Sequence, residues 1–261
     1  MFEFADTPLS MRKLFLHSLT LYRTIAAKIW YVIFILVGLW GTFSLWGRHS
    51  SVVKHYTVML DQAVKSGKGF DPLFLYTQRA NFFGVFSALL FLLTILTISV
   101  VIHRGYMLAK NEKNSLVASI ALSIKRYITM FLVVFFSIIA VYFGIILLFL
   151  PAIFLAVMLL FAPFFVILEQ KGIFGAIKES CKLVWGNWWR SFGFTAIFGV
   201  GLAMIIALLL YVFNMLFGFV VQGLGLEIIM LVLSSIILSW LYPMFLAAAL
   251  VLFNDLKLRK G

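Results

Sequence analysis

The chain has 261 residues, of which 64% are hydrophobic and 11% are charged, and its formal net charge is +12. Water-soluble domains carry about 25% charged and about 45–50% apolar residues, so this composition excludes an ordinary soluble core. A basic soluble chain would indicate a nucleic-acid partner, but Lys and Arg also collect on loops that face anionic lipid. We favour the second explanation and expect no nucleic-acid binding.

The apolar residues form continuous runs long enough for membrane-spanning helices, which need about 20 residues each. The strands of a membrane β-barrel would instead alternate apolar and polar residues in segments of about ten. We therefore predict an all-α polytopic membrane protein, with residues 1–261 forming a single integral membrane domain. The six predicted spans are residues 28–47, 82–103, 127–149, 152–168, 191–216 and 228–253.

Three amphipathic segments precede pairs of spans and suggest three repeated units of interfacial helix and helical hairpin. They cover residues 7–26, 112–126 and 171–190, and Ser18, Ser123 and Ser180 hold matching positions in them. Thr7 and Pro8 are the expected start of the first helix. Glu3 and Asp6 precede any basic residue, which does not fit a secretory signal peptide. Residues 48–80 are the expected outside loop, with a short surface helix and a turn at Asp71-Pro72.

The distribution of basic residues predicts the orientation of the chain. With the N-terminus inside, the inside segments hold 16 Lys and Arg residues and the outside segments hold five. Basic residues favour the cytoplasmic side, so both termini are expected in the cytoplasm.

Residues 171–190 read KGIFGAIKESCKLVWGNWWR and predict a basic amphipathic helix. The apolar residues are expected to share one wide face of this helix, and three lysines are expected on the opposite side. Gly186-Asn187 is the expected stop, and two tryptophans follow at headgroup depth. The hypothesis is a contact with a lipid headgroup or partner protein; the alternative is an interfacial anchor whose lysines snorkel. The apolar face comprises Ile173, Phe174, Ile177, Cys181, Val184, Trp185 and Trp188, and the candidate contact residues are Lys178, Lys182, Trp188, Trp189 and Arg190.

Polar and helix-breaking residues inside the predicted spans are few. Asn214 is the only amide well inside a span, and together with several serines it favours helix–helix packing. Pro163 is expected to kink or break the fourth span near its inside end. The glycines in residues 199–204 are candidates for close helix approach. The scarcity of ionisable groups argues against an ion-coupled transporter, and it leaves passage of an apolar lipid open.

Motifs for catalysis or cofactor binding are missing from the sequence. We find no G-x-S-x-G, no H-E-x-x-H and no phosphate-cradling glycine loop, and the only cysteine is Cys181. A cysteine on an apolar face is typically inert packing. We therefore predict a protein that is not an enzyme, with no catalytic residues, metal site or cofactor.

Residues 150–190 resemble the YciC-like family of bacterial inner-membrane proteins and, more distantly, the membrane domain of some glycerophosphodiester phosphodiesterases. The resemblance is carried by Pro151, Ala162-Pro163, Gly172-Ile173-Phe174, Ser180 and the spacing of Leu183 and Trp185. It implies a six-span protein of the bacterial inner membrane without a catalytic domain, and it transfers no functional residues. The Gly186–Trp189 turn and the basic 48–80 loop depart from the family pattern.

These observations favour a non-enzymatic protein of the envelope that acts through membrane lipids or another inner-membrane protein. The alternative is a transporter or flippase-like protein for a lipid or amphiphile. A cavity open to lipid and lined by Asn214 and serines would favour the alternative, and a solidly packed bundle would argue against it.

Overall fold

The computed structural model describes residues 4–49, 58, 65, 72–112, 115–147, 149–218 and 223–260. Within these ranges the regular secondary structure is α-helical, and six segments are long and apolar enough to cross a membrane. The longer helices, in chain order, are α1 (Met11–His49), α2 (Pro72–Ala109), α3 (Leu116–Lys125), α4 (Tyr127–Leu147), α5 (Phe149–Leu159), α6 (Ala162–Leu168), α7 (Ile173–Val184), α8 (Trp188–Gly218) and α9 (Leu224–Leu258). The prediction of an all-α polytopic membrane protein is confirmed.

The first amphipathic segment is not a separate helix, because α1 runs without a break from Met11 to His49 and includes the first span. Its start also differs from the prediction. Ser10, rather than Thr7, accepts hydrogen bonds from the first turn: its carbonyl from Leu14 N at 2.9 Å and its hydroxyl from Lys13 N at 3.4 Å. Hydropathy places a boundary where charged residues interrupt an apolar run, but these interruptions do not stop a helix.

The predicted outside loop is shorter than expected, because α1 continues to His49 and α2 already begins at Pro72. Proline suits the first position of a helix, so the turn signal at Asp71-Pro72 marks a helix start. The predicted surface helix in this loop lies largely outside the described residues.

The buried core lies toward the end of the bundle that holds both chain termini, here called the terminal end. α1 packs along α9 and α2, and α9 also packs against α8. The largest fully buried side chains include Leu14, Leu21, Phe194, Leu250 and Leu256. At the opposite, distal end, where α1 and α8 end and α9 begins, many apolar side chains are exposed. The distal parts of the helices therefore offer their apolar surface to lipid.

The fourth span is broken into α5 and α6, with Pro163 in the first turn of α6. Proline has no N–H to donate and clashes with the preceding turn, so an uninterrupted helix is unfavourable here. Ser180 of α7 bridges the break: its hydroxyl donates to Met158 O at 2.7 Å and accepts from Phe161 N at 3.2 Å. Ser180 is fully buried, as are Ser18 and Ser123 at the matching positions of the other two segments.

Close helix approach occurs at glycines other than those expected. A Cβ atom added to Gly144 would lie 2.7 Å from Ala152 Cα, so α4 and α5 are in backbone contact there. Among the described residues, Gly199 and Gly201 have no such neighbour within 4 Å, so the expectation for residues 199–204 is wrong for this part of the chain. This part of α8 carries exposed apolar side chains such as Val200, Met204 and Leu208.

Candidate functional site

α7 sits against α4, α5, α6 and α9, and these contacts decide which of its faces is buried. Ala176, Ser180, Leu183 and Val184 are buried, whereas Phe174 is 80% exposed. Phe174 and Trp185, at the edges of the predicted apolar face, point away from the protein and lie beside Lys178 and Lys182, not opposite them. Protein core and lipid are both apolar, so the helical wheel cannot distinguish them.

An exposed stripe runs along the outer side of α7 and consists of Phe174, Lys178, Lys182 and Trp185. The spacings of four, four and three residues place successive members on neighbouring turns. Both lysines are exposed, and Trp185 is 65% exposed. Neither lysine has an ion-pair or hydrogen-bond partner in the part of the chain that the structure describes. We call this surface the α7 stripe.

The turn from α7 into α8 extends the stripe with an aromatic cluster. Gly186 adopts a left-handed backbone (φ 86°), which glycine tolerates without strain and which ends α7 as predicted. Trp188 stacks on Phe192 and Phe154, with ring centroids 5.1 and 5.6 Å away, and Trp189 is 78% exposed. Trp188 is thus anchored in the protein, and Trp189 offers its ring to the surroundings.

Arg190 has a different role from the one predicted. Its Nε donates to Asp255 Oδ2 at 3.0 Å, and its terminal NH₂ donates to Leu9 O at 2.6 Å. Arg259 bonds to the same carboxylate oxygen at 3.1 Å and to Leu9 O at 2.8 Å, while Leu9 N donates to Asp255 Oδ1 at 2.7 Å. We call these four residues the Asp255 cluster. It joins the N-terminal segment, the start of α8 and the end of α9, so the guanidinium of Arg190 is engaged by the protein.

A cavity of about 370 Å³ lies between α1, α8 and α9 at the distal end. Among the described residues, the polar side chains that line it are Ser44, Asn214, Glu227 and Ser234. Its remaining lining is mostly apolar and includes Leu210 and Met230 of α8 and α9. The predicted intramembrane amide therefore faces a cavity together with serines. A second groove of about 440 Å³, between α4 and the α5–α6 break, is almost entirely apolar.

Cys181 is half-buried on α7 beside the core. Burial raises the pKa of the thiol, because the thiolate loses its hydration. The reactive thiolate is therefore scarce at neutral pH, which fits a packing role.

Sequence reasoning missed Asp255, Arg259 and Glu227. The sixth predicted span ends at residue 253, but α9 continues to Leu258, so Asp255 lies in the helix and Arg259 is its C-cap. The available signal was their spacing of four residues, which suits an ion pair on a helix. The sixth predicted span begins at residue 228, but Glu227 already lies in the first turn of α9, where a carboxylate is favoured by the helix dipole.

Comparisons of the chain with protein-family models, with curated proteins and with solved structures give no significant match. The fold and its exposed apolar surfaces define a multi-pass α-helical membrane protein.

Proposed function

We propose that this chain is a non-enzymatic protein of the bacterial inner membrane that acts in the envelope by binding lipid, with both termini in the cytoplasm. The observation that carries the proposal is the α7 stripe, in which two exposed lysines lie between two exposed aromatic side chains. The positive-inside count supports the orientation. The resemblance of residues 150–190 to the YciC-like family supports the location.

The physical argument rests on what each part of the stripe prefers. Aromatic side chains such as Trp185 and Trp189 favour the membrane–water interface. A lysine held near an anionic leaflet gains about 1 kcal/mol, so Lys178 and Lys182 together contribute about 2 kcal/mol, or roughly 30-fold in binding. Buried contacts on the opposite face fix α7 to the bundle, so the stripe is presented by a rigid element.

The test is native mass spectrometry of the purified protein in mild detergent, titrated with phosphatidylglycerol as an anionic lipid. We expect the K178Q/K182Q double variant to lose at least tenfold in affinity for this lipid. The control is R12Q/K13Q, which removes the same charge from exposed residues of α1 at the terminal end. A second chain that copurifies would identify a membrane-protein partner.

Equal affinity of the wild type and K178Q/K182Q would contradict the role of the stripe. Absence of any lipid adduct on the wild type would contradict the proposed function as a whole. The orientation has its own test: a reporter fused after Gly261 is expected in the cytoplasm, and an external reporter would refute it.

A second candidate function is movement of a lipid or amphiphile between leaflets, and the distal cavity favours it. The cavity combines Asn214 and serines with apolar walls, as this function requires. The test is dithionite quenching of a fluorescent lipid in proteoliposomes. We expect the wild type to expose inner-leaflet lipid faster than N214L, and a rate equal to that of empty liposomes would exclude this candidate.

A further inference from the structure

A groove of about 260 Å³ lies between α1, α2 and α3, and we call it the lateral groove. Its described lining is apolar except for Tyr31 and Thr97. Thr97 uses its hydroxyl within α2, where it donates to Leu93 O at 2.9 Å. Ile35, on the α1 wall, is 61% exposed, so the groove is open to the surrounding lipid. The groove is smaller than most ligand pockets, and it suits part of one acyl chain better than a whole lipid.

Two basic residues continue the groove toward the terminal end. On α2, Arg104 lies one turn beyond Val100, the last lining residue of that helix. On α1, Lys28 lies one turn before Val32 and so shares its face. The two residues meet, because Arg104 Nε donates to Lys28 O at 3.4 Å. Both cations therefore belong to the same end of the groove.

The guanidinium of Arg104 has a donor that the protein leaves unused. Arg104 is half-buried, and its Nη1 is buried without an acceptor among the described residues. A buried donor without an acceptor is costly, so its retention calls for an explanation. Lys28 is exposed, and its ammonium group has no ion-pair or hydrogen-bond partner in the described ranges. The two side chains thus offer positive charge and free N–H donors.

The combination of cations and groove selects the ligand. A guanidinium binds a phosphate through parallel N–H donors, and basic pockets between membrane helices bind anionic headgroups. A free phosphate would use the cations and leave the groove without a role. A phospholipid uses both, with its phosphate at the cations and one chain between the helices. Two positive charges favour an anionic headgroup over a zwitterionic one.

We infer that the lateral groove binds one anionic phospholipid, with the phosphate at Arg104 and Lys28 and one acyl chain along α1, α2 and α3. This inference rests on the proposed function for the class of ligand, which is lipid. It names a second site that shares no residue with the α7 stripe.

The experiment is photocrosslinking of the full chain in phosphatidylcholine nanodiscs. The probe is phosphatidylglycerol with a diazirine in one acyl chain, and peptide mass spectrometry locates the labels. We expect labels on groove residues such as Leu96, Leu116 and Ile120. R104Q should lower this labelling about fivefold, as expected for one basic residue at an anionic lipid.

The matched control is R23Q, which removes the same charge from an exposed residue of α1 that does not line the groove. It should change the groove labelling by less than about twofold, because an exposed charge away from the site is screened. A second variant, T97F, fills the groove and keeps both cations, and it should lower the labelling at least as much as R104Q does. A melting curve shows whether each variant folds.

The position of each label separates this inference from the proposed function. Groove labels that weaken in R104Q and T97F, and that a phosphatidylcholine probe with the same diazirine chain does not give, support the inference. They support it even if the α7 peptides carry no label, which would contradict the α7 stripe. Equal groove labelling by the two probes, or by wild type and folded R104Q, overturns the inference even if K178Q/K182Q still loses its α7 labels. Loss of the groove labels in excess inorganic phosphate would assign the cations to a free anion and overturn the lipid assignment.

Discussion

Replacing Asp255 with alanine tests how the N-terminal segment is held to the bundle. The Asp255 side chain is fully buried and accepts three hydrogen bonds, from Leu9 N, Arg190 Nε and Arg259 Nε. D255A removes the acceptor and leaves the side chains of Arg190 and Arg259, which are 17% and 29% exposed, without their carboxylate. Both still donate to Leu9 O, so part of the cluster survives.

The size of the effect follows from the burial of the carboxylate. Removing one partner of a buried ion pair costs about 3–5 kcal/mol, because the other charge stays desolvated. In a chain of this length each kcal/mol changes the melting temperature by about 2–4 °C, so D255A should lower it by about 10 °C. The assay is thermal unfolding in detergent, monitored by the fluorescence of a dye that does not react with thiols.

Asp6 provides the matched control, because it is an exposed acid in the same N-terminal segment. D6A should change the melting temperature by no more than about 2 °C, as is usual for surface substitutions. R190A and the R190A/D255A double variant complete a mutant cycle, whose coupling should exceed about 1 kcal/mol. If D255A melts within 2 °C of the wild type, the Asp255 cluster does not hold the N-terminal segment in place.

Three further substitutions or treatments test the helix contacts. S180A should lower the free energy of unfolding by about 1–3 kcal/mol, because the buried Phe161 N–H loses its hydrogen-bond acceptor. The control S123A removes an equally buried hydroxyl that bonds within its own helix, and it should cost less than about 1 kcal/mol in the same melting assay. Equal losses would contradict the bridging role of Ser180. G144A should lower stability by about 1–3 kcal/mol, because α4 and α5 must separate to admit the methyl group. G199A, where the described residues leave 4 Å free, should be neutral or stabilising, and a tolerated G144A would refute the backbone contact. Cys181 should react slowly with N-ethylmaleimide at pH 7, because its raised pKa keeps the thiol protonated, and faster at pH values above the ordinary pKa of a thiol. A rate at pH 7 equal to that of the protein unfolded in SDS would contradict this.

The spans could be predicted from sequence because length and hydropathy alone decide whether a helix crosses a bilayer. The predicted fourth span, 152–168, lies within the Phe149–Leu168 segment, and Pro163 indicated its break. The ends of the helices were less predictable. Polar residues such as Glu227 and Asp255 lower hydropathy at a terminus, yet both stay helical because each has a favourable place on α9.

The orientation of faces could not be predicted, for a physical reason that is specific to membranes. In water an apolar face points to the core, but lipid is as apolar as the core, and packing then decides. α7 buries the small Ala176 and Ser180 and exposes Phe174 and Trp185. The same reason applies to the helix contacts at glycines. Only the position of the partner helix shows that Gly144 makes a close backbone contact and that Gly199 makes none with the described residues.

Substitution of Asn214 distinguishes a role of its amide in helix packing from a role in ligand binding. If its amide only packs helices together, N214L should destabilise the protein as strongly as D255A. The structure predicts otherwise, because Asn214 is exposed at the cavity, where no buried partner depends on it in the described part of the chain. Leucine removes a polar group from an apolar environment, so the melting temperature of N214L should equal or exceed that of the wild type. A fall of about 10 °C would assign Asn214 to packing. An unchanged melting temperature with slower exposure of inner-leaflet lipid in proteoliposomes would show that Asn214 is retained for a ligand and not for stability.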